Sequence, residues 1–551
     1  MAAFPGAAGP EMDPLAAALA AGETPSPDLI AGAGGAGTLQ PVSAAALLAF
    51  ILAGLFAVPL LAWSQSWLSR LDLSQPPVEL AHHARELIRQ FGYSAVPQDV
   101  VYGFENAAGG LPVFWYRPCS LQPNALTNIG EPPGSPRKDN PPDPCPGATT
   151  LELDTRGRLV SWRSVAPGLP PDSEPAAIPW QQLISAAGLD PARFQEIAAT
   201  AAPSVRFDRL SAWKATRDEN GSPALIEAAA LNGKPVYFSF SSAAPIASRR
   251  PVQPAGLRIM LIALFIVIGS AALLARRNLR AGRVDRRAAS RLAAVEFCLC
   301  LVVWACYCEH RASLLELTLF TYAVGWSLVL AASVWLLFIV LDPFVRRRWP
   351  HAIISLSRIV DGRFRDPLVA RDILIGIAAS IVSSLLQLLQ IHFHLTAVAA
   401  DTALALSGLP TLVGQLAFDA AVTIWFVLFV FCLVFLLRLA LRRSWLTAVV
   451  VITLFAVVAA LNQGRFAVSA SLAAAIVAAQ LVVFLRFGLL AFMVQAFLGP
   501  IWPVLPYSLD FSRWYAVPPV VVLGIAVVIA VWAVTRTVSN RKFISDQFLY
   551  R

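Results

Sequence analysis

Ten times along this chain, a run of roughly twenty residues passes with almost no charge, and this repetition limits the fold more than any motif does. The runs are Val42–Trp63, Leu257–Ala275, Leu292–Cys308, Thr318–Leu341, Ile373–Phe393, Leu416–Leu437, Trp445–Leu461, Val468–Leu485, Phe487–Leu505 and Val517–Val534. About 20 apolar residues wound as a helix span the roughly 30 Å of a bilayer's hydrocarbon. Only 14% of the chain is charged, against about 25% in soluble domains, so the composition belongs to the membrane class. The expected fold is a polytopic α-helical membrane protein of about ten transmembrane helices, with one α+β extracytoplasmic domain.

The arginines orient those helices. Between the fourth and fifth runs lies a segment holding Arg346, Arg347, Arg348, Trp349, Arg358, Arg363, Arg365 and Arg371. Other basic clusters fall at Arg276–Arg291, Arg438–Ser444, Arg486 and the tail from Arg536. The short connections between these clusters carry Arg311, Arg465 and Arg513 alone. Such asymmetry is the positive-inside pattern and makes the basic loops cytoplasmic. It assigns residues 1–41 to a flexible cytoplasmic leader, 42–63 to the first transmembrane helix, 64–256 to the extracytoplasmic domain, 257–535 to the multi-span region and 536–551 to a cytoplasmic tail. Both termini are then cytoplasmic, in a bacterial inner membrane. The leader has no Lys or Arg, which opposes a secretory signal. The net charge of +9 sits beside spans, where it meets anionic lipid, so nucleic acid is excluded as a partner.

Residues 64–256 are polar and long enough for a core of their own. Leu80, Ala84, Leu87, Ile88 and Phe91 have the spacing of an amphipathic helix. Asp99–Glu105 and Leu111–Tyr116 read as strands. Thr155 to Gly157 and Asn232-Gly233 mark two hairpins. Asp190-Pro191 has the residues of a helix start. Cys119 and Cys145 close a loop rich in Pro and Asn. In an oxidising compartment they are disulfide candidates, stabilising by roughly 3 kcal/mol in the chain-entropy model.

Chemistry-bearing patterns are sparse. Gly32 to Gly37 matches G-x-G-x-x-G, but no strand precedes it, so no phosphate-binding unit follows. Cys298, Cys300, Cys306 and Cys308 form C-x-C-x5-C-x-C. At about 100° per residue they point all round one helix, which opposes a shared metal. Gln387, Gln390, His392, His394 and Asp419 form a possible polar membrane site, with an interfacial histidine pair as the plainer reading. Glu296 is expected near a span end, within reach of water. Gly499-Pro500 and Pro503 interrupt the ninth run as a kink. Ala352–Val360 suggests a short amphipathic helix on the inner leaflet, with Ile353, Ile354, Leu356 and Ile359 towards lipid. No metal or cofactor is implied.

Several stretches resemble the C-terminal membrane and sensor region of bacterial transmembrane serine/threonine protein kinases. They are Val345 to Pro350, Ile354 to Arg358, Gly362 to Val369 and Arg371-Asp372, supported by Ala20 to Pro27, Ala275 to Arg280, Asp285 to Arg287, Pro235 to Phe238, Arg486 to Leu490 and Trp514 to Ala516. The chain has no Val-Ala-Ile-Lys, His-Arg-Asp loop or Asp-Phe-Gly, so no kinase catalytic residue carries over. The resemblance implies an integral membrane sensor or anchor of signal transduction. Its arginine segment would dock a separate cytoplasmic kinase or another signalling protein, or contact lipid headgroups. A small-solute transporter or channel is the alternative, and a membrane-embedded enzyme comes third.

Overall fold

The computed structural model describes residues 38–65, 73–93, 100–106, 112–118, 138, 149–165, 178–199, 203–215, 224–241, 255–282, 284–308, 310, 314–393, 406, 408–461 and 465–538. Cys119, Cys145, His394 and Asp401 lie outside them.

Helix α1 (Pro41–Gln65) is the first apolar run, and α2 (Pro77–Gln90) is the amphipathic stretch. An eight-stranded sheet follows, made of β1 (Val101–Asn106), β2 (Pro112–Arg117), β3 (Thr149–Leu153), β4 (Leu159–Ser164), β5 (Phe194–Ile197), β6 (Arg209–Ala215), β7 (Leu225–Leu231) and β8 (Lys234–Ser241). Its order is β1-β2-β3-β4-β8-β7-β6-β5, and every pairing is antiparallel. Both hairpins form where expected. Asn232 and Gly233 take φ of 51° and 77°, the double left-handed geometry that a tight β7–β8 turn needs. At the other, the Asp154 carboxylate accepts from the backbone N–H groups of Arg156 and Arg158 at 2.9 and 2.8 Å.

The hydrophobic side of α2 and a short helix α3 (Trp180–Ala186) share one core with the sheet. At its centre Trp162, fully buried, donates through Nε1 to the Pro235 carbonyl at 3.1 Å. Phe91 and Tyr93 pack on its ring. The short helix expected at Asp190 forms as one 3-10 turn, Pro191–Arg193, with the Asp190 carboxylate accepting from Ala192 N at 3.0 Å. The chain then enters β5, which pairs with β6 over Phe194–Ile197.

The remaining helices are α4 (Ala255–Arg280), α5 (Arg286–Tyr307), α6 (Leu314–Arg348), α7 (Ile354–Val360), α8 (Pro367–His392), α9 (Leu409–Leu441), α10 (Ser444–Ala460), α11 (Phe466–Phe487), α12 (Leu489–Val504) and α13 (Val517–Thr537). Among the described residues eight helices are long and apolar enough to cross a membrane. Two more, α10 and α12, are apolar but have 17 and 16 residues, about 25 Å of rise each. The chain is thus a polytopic helical membrane protein carrying a separate antiparallel-sheet domain.

Two expectations about the arginine segment are corrected. Arg346, Arg347 and Arg348 do not lie in a loop: α6 continues through Pro343 to Arg348. Ile353, Ile354 and Leu356 do not face lipid. They are buried in the core shared by α4, α5, α6, α9 and α12.

Candidate functional site: a proline-containing helix between the arginine turn and the sheet

The arginines divide into two kinds. Arg346 is buried and donates to Asp342 Oδ2 at 2.5 Å, one turn back on α6. The same carboxylate oxygen accepts from the backbone N–H of Asp285 at 2.9 Å, which ties in the start of α5. Arg358 is also buried and donates to Asp366 Oδ1 at 2.6 Å. Asp366 caps α8 by accepting from Leu368 N at 2.9 Å. Arg371 donates to Asp372 Oδ1 at 2.8 Å, and Ser355 donates to the other Asp372 oxygen. These groups fasten the turn together. Arg347, Arg363 and Arg365 are exposed; they alone of the described arginine side chains here present free faces to a partner or to lipid. Trp349 is also a building residue, held between Phe344 and Phe431 with the Arg438 guanidinium 4.5 Å from its ring centre.

The turn sits on the break between α11 and α12. Gly488 takes φ of 96°, and a Cβ there would lie 2.9 Å from the Ala352 carbonyl oxygen. A side chain would push the 350–352 turn off the helix ends, so glycine is needed for conformation and for clearance. The sequence placed this break at Arg486; the chain turns two residues later.

From Gly488, α12 runs against α8 and continues through Pro500 and Pro503 to Val504. Pro503 has no N–H to give the carbonyl four residues back, that of Gly499. The neighbouring helix supplies the donor. Ser384 Oγ reaches the Gly499 oxygen at 2.9 Å, and Gln387 Nε2 lies at 3.4 Å. Trp502 Nε1 donates to Ser380 Oγ at 3.0 Å, and Gln495 Nε2 donates to Ser383 Oγ at 2.9 Å. Away from water each of these bonds replaces an unsatisfied group. Gln387, one of the residues of the expected polar site, thus lies against the proline-containing end of α12.

Beyond Val504, the connection from α12 to α13 enters the sheet domain. Trp514 Nε1 donates to the Leu73 carbonyl at 3.2 Å, and its ring stacks on Phe104 of β1 at 6.4 Å. Tyr515 and Leu406 are buried in the sheet domain's own core. Asp510 shapes this connection. It accepts from Ser512 Oγ at 2.6 Å, Ser512 N at 3.0 Å and Arg513 Nε at 3.2 Å. The Ser512 bonds first, then Arg513, hold its carboxyl below the usual aspartate range.

The described residues of the proposed polar membrane site lie on two helices, α8 and α9. Gln390 is buried on α8, His392 is exposed beside Phe393, and Asp419 on α9 accepts from Gln415 at 3.0 Å. Gln415 in turn accepts from Tyr307 OH at 2.6 Å. A pocket opens elsewhere, among Phe426, Val430, Phe455, Gln480, Leu481 and Phe492. Glu296 is a correction: it stands midway along α5, fully buried, and among the described residues neither carboxylate oxygen has a hydrogen-bond partner. The sequence hid a second group. Cys308, His310 and Glu316 converge where α5 meets α6, while the cysteine spacing groups Cys308 with Cys298, Cys300 and Cys306 and leaves out His310 and Glu316. The signal was the mixed set at a helix end, Cys-x-His followed six residues later by Glu.

No family model, curated protein sequence or solved structure matches the chain.

Proposed function

We propose that the protein is an integral membrane sensor, with the sheet domain outside the cytoplasm, the arginine turn inside, and α12 coupling the two. The observation that carries this reading is the pair of contacts made by one helix and its extension. Gly488, at the start of α12, abuts Ala352 of the turn, and the α12–α13 connection inserts Trp514 against Leu73 and Phe104. A ligand that reseats the sheet on Trp514 would bear on α12, whose far end, with Pro500 and Pro503 inside it, has fewer backbone hydrogen bonds of its own to hold it.

Ten spans fit this reading, with α10 and α12 as the two short ones, as do cytoplasmic termini and a bacterial inner membrane. The resemblance to the membrane region of serine/threonine kinases suggests the partner class: a separate cytoplasmic kinase or other signalling protein, held by Arg347, Arg363 and Arg365. Anionic lipid headgroups would share those side chains. Cross-linking in intact membranes tests the assignment. Partners captured by the native protein should be lost in the double variant Arg363→Ser/Arg365→Ser; unchanged partners would oppose it.

Glu296 favours a second reading, a transporter or channel, because a buried acid inside a membrane commonly marks a path for protons or ions. Proton flux in proteoliposomes that vanishes in Glu296→Gln would establish that reading, and equal flux in both proteins would remove it.

A further inference from the structure

We propose that Cys308, His310 and Glu316 bind one divalent ion of the zinc class at the junction of α5 and α6. Their ligand atoms, Sγ, a ring nitrogen and a carboxylate oxygen, all lie within 4.8 Å of one another. Zinc takes these three donor types at about 2.0–2.3 Å, which sets its ligand atoms roughly 3.3–3.8 Å apart. The cluster is therefore close to the required size. The Cys308 side must move in slightly and the His310–Glu316 pair must open from 2.7 Å.

The histidine is already oriented for a ligand. Its Nε2 lies 2.9 Å from the Ala305 carbonyl, and a carbonyl only accepts, so Nε2 carries the hydrogen. Nδ1 is left facing Glu316 Oε1. A backbone carbonyl holding one imidazole N–H while the other nitrogen binds the metal is the usual supporting arrangement around a metal-bound histidine. The Trp304 ring packs edge-on against His310, 4.8 Å between centres, and also contacts Phe320. This apolar wall limits the orientations the imidazole can take.

The three residues come from three places: Cys308 caps α5 with its N–H bonded to Trp304 O, His310 lies in the connection, and Glu316 is in the first turn of α6. An ion there would clamp the two helices at the end of α5 opposite the arginine turn. Three protein ligands leave a fourth position for water or a small ligand. Cys308 is buried, while His310 and Glu316 reach solvent, so an ion has an entry route.

The experiment uses the full untagged chain in lipid nanodiscs, stripped of metal and then titrated with Zn²⁺ and, as a spectroscopic probe, Co²⁺. The inference expects one tight Zn²⁺ per chain and a thiolate-to-cobalt charge-transfer band. Cys308→Ser should abolish that band. His310→Ala and Glu316→Gln should weaken Zn²⁺ by more than the roughly 10–100-fold that loss of a supporting partner costs. Cys298→Ser should change nothing. Zn²⁺ should raise the melting temperature of the native chain but not of Cys308→Ser, which separates a binding defect from a folding defect. A His310–Glu316 ion pair without metal would show no saturable Zn²⁺ uptake. Uptake that is equal in native and Cys308→Ser protein, or a cobalt spectrum without thiolate, would equally overturn the assignment.

Discussion

Ser384 Oγ on α8 lies 2.9 Å from the Gly499 carbonyl on α12 and 2.8 Å from the Ser380 carbonyl, so its one hydrogen is shared between its own helix and the acceptor that Pro503 leaves without an intrahelical donor. Removing the hydroxyl by Ser384→Ala should therefore destabilise the protein by about 1–2 kcal/mol. Pro503→Ala restores an N–H to α12, so the double variant should lose less than the sum of the single changes. Unfolding in detergent of all four proteins gives the cycle directly.

Arg358 and Arg363 stand five residues apart and should behave in opposite ways. Arg358→Ser leaves Asp366 without its guanidinium in a mostly buried setting, and breaking such a pair costs about 3–5 kcal/mol. Arg363→Ser, at an exposed position, should stay within about 0.5 kcal/mol of the native protein. Thermal unfolding of the two variants side by side checks this. Equal losses would mean that the turn is not held together as described.

Gly488→Ala should be poorly tolerated, because φ of 96° strains any side chain and the new Cβ meets backbone rather than a yielding side chain. A cost of at least about 1–3 kcal/mol follows from the conformation alone. Gly362 also has positive φ, 80°, but a Cβ there meets nothing within 4 Å. Gly362→Ala should accordingly cost less, and the difference between the two melting temperatures isolates the contact with Ala352.

The connection that carries Trp514 should loosen in acid. Asp510 titrates below its unfolded value, so its contribution to the loop is complete above the ordinary aspartate pKa of about 3.9. That contribution disappears as the pH falls through the lower folded value. Asp510→Asn should remove this acid step while leaving the rest of the pH profile in place. Tryptophan fluorescence of the native protein and Asp510→Asn from neutral pH downward provides the comparison.

Much of this architecture was legible because its signals are local. Apolar runs mark the helices, and the Asn232-Gly233 dipeptide marks a turn that needs two left-handed residues. The site was legible only in part. Seven arginines in one segment look alike in a sequence, and their division into fasteners and exposed charges depends on Asp342 and Asp366 and on how the turn folds back. Ile353, Ile354 and Leu356 have the spacing of a lipid-facing helix because burial against protein asks for the same apolar side chains. Strand β6 was missed because Arg209–Ala215 has little hydrophobic alternation; it is held between β5 and β7 by the register of its neighbours. The contact between Trp514 and Leu73 joins residues far apart in the chain, and no local pattern encodes it.

The central claim is that α12 couples the sheet domain to the arginine turn. Hydrogen–deuterium exchange of the native protein and of Trp514→Ala, both in lipid nanodiscs, tests it most directly. The account predicts faster exchange in Trp514→Ala at two separated places, the 505–516 connection and residues 350–360 across the membrane. Faster exchange confined to the sheet domain and the 505–516 connection, with residues 350–360 unchanged, would contradict it.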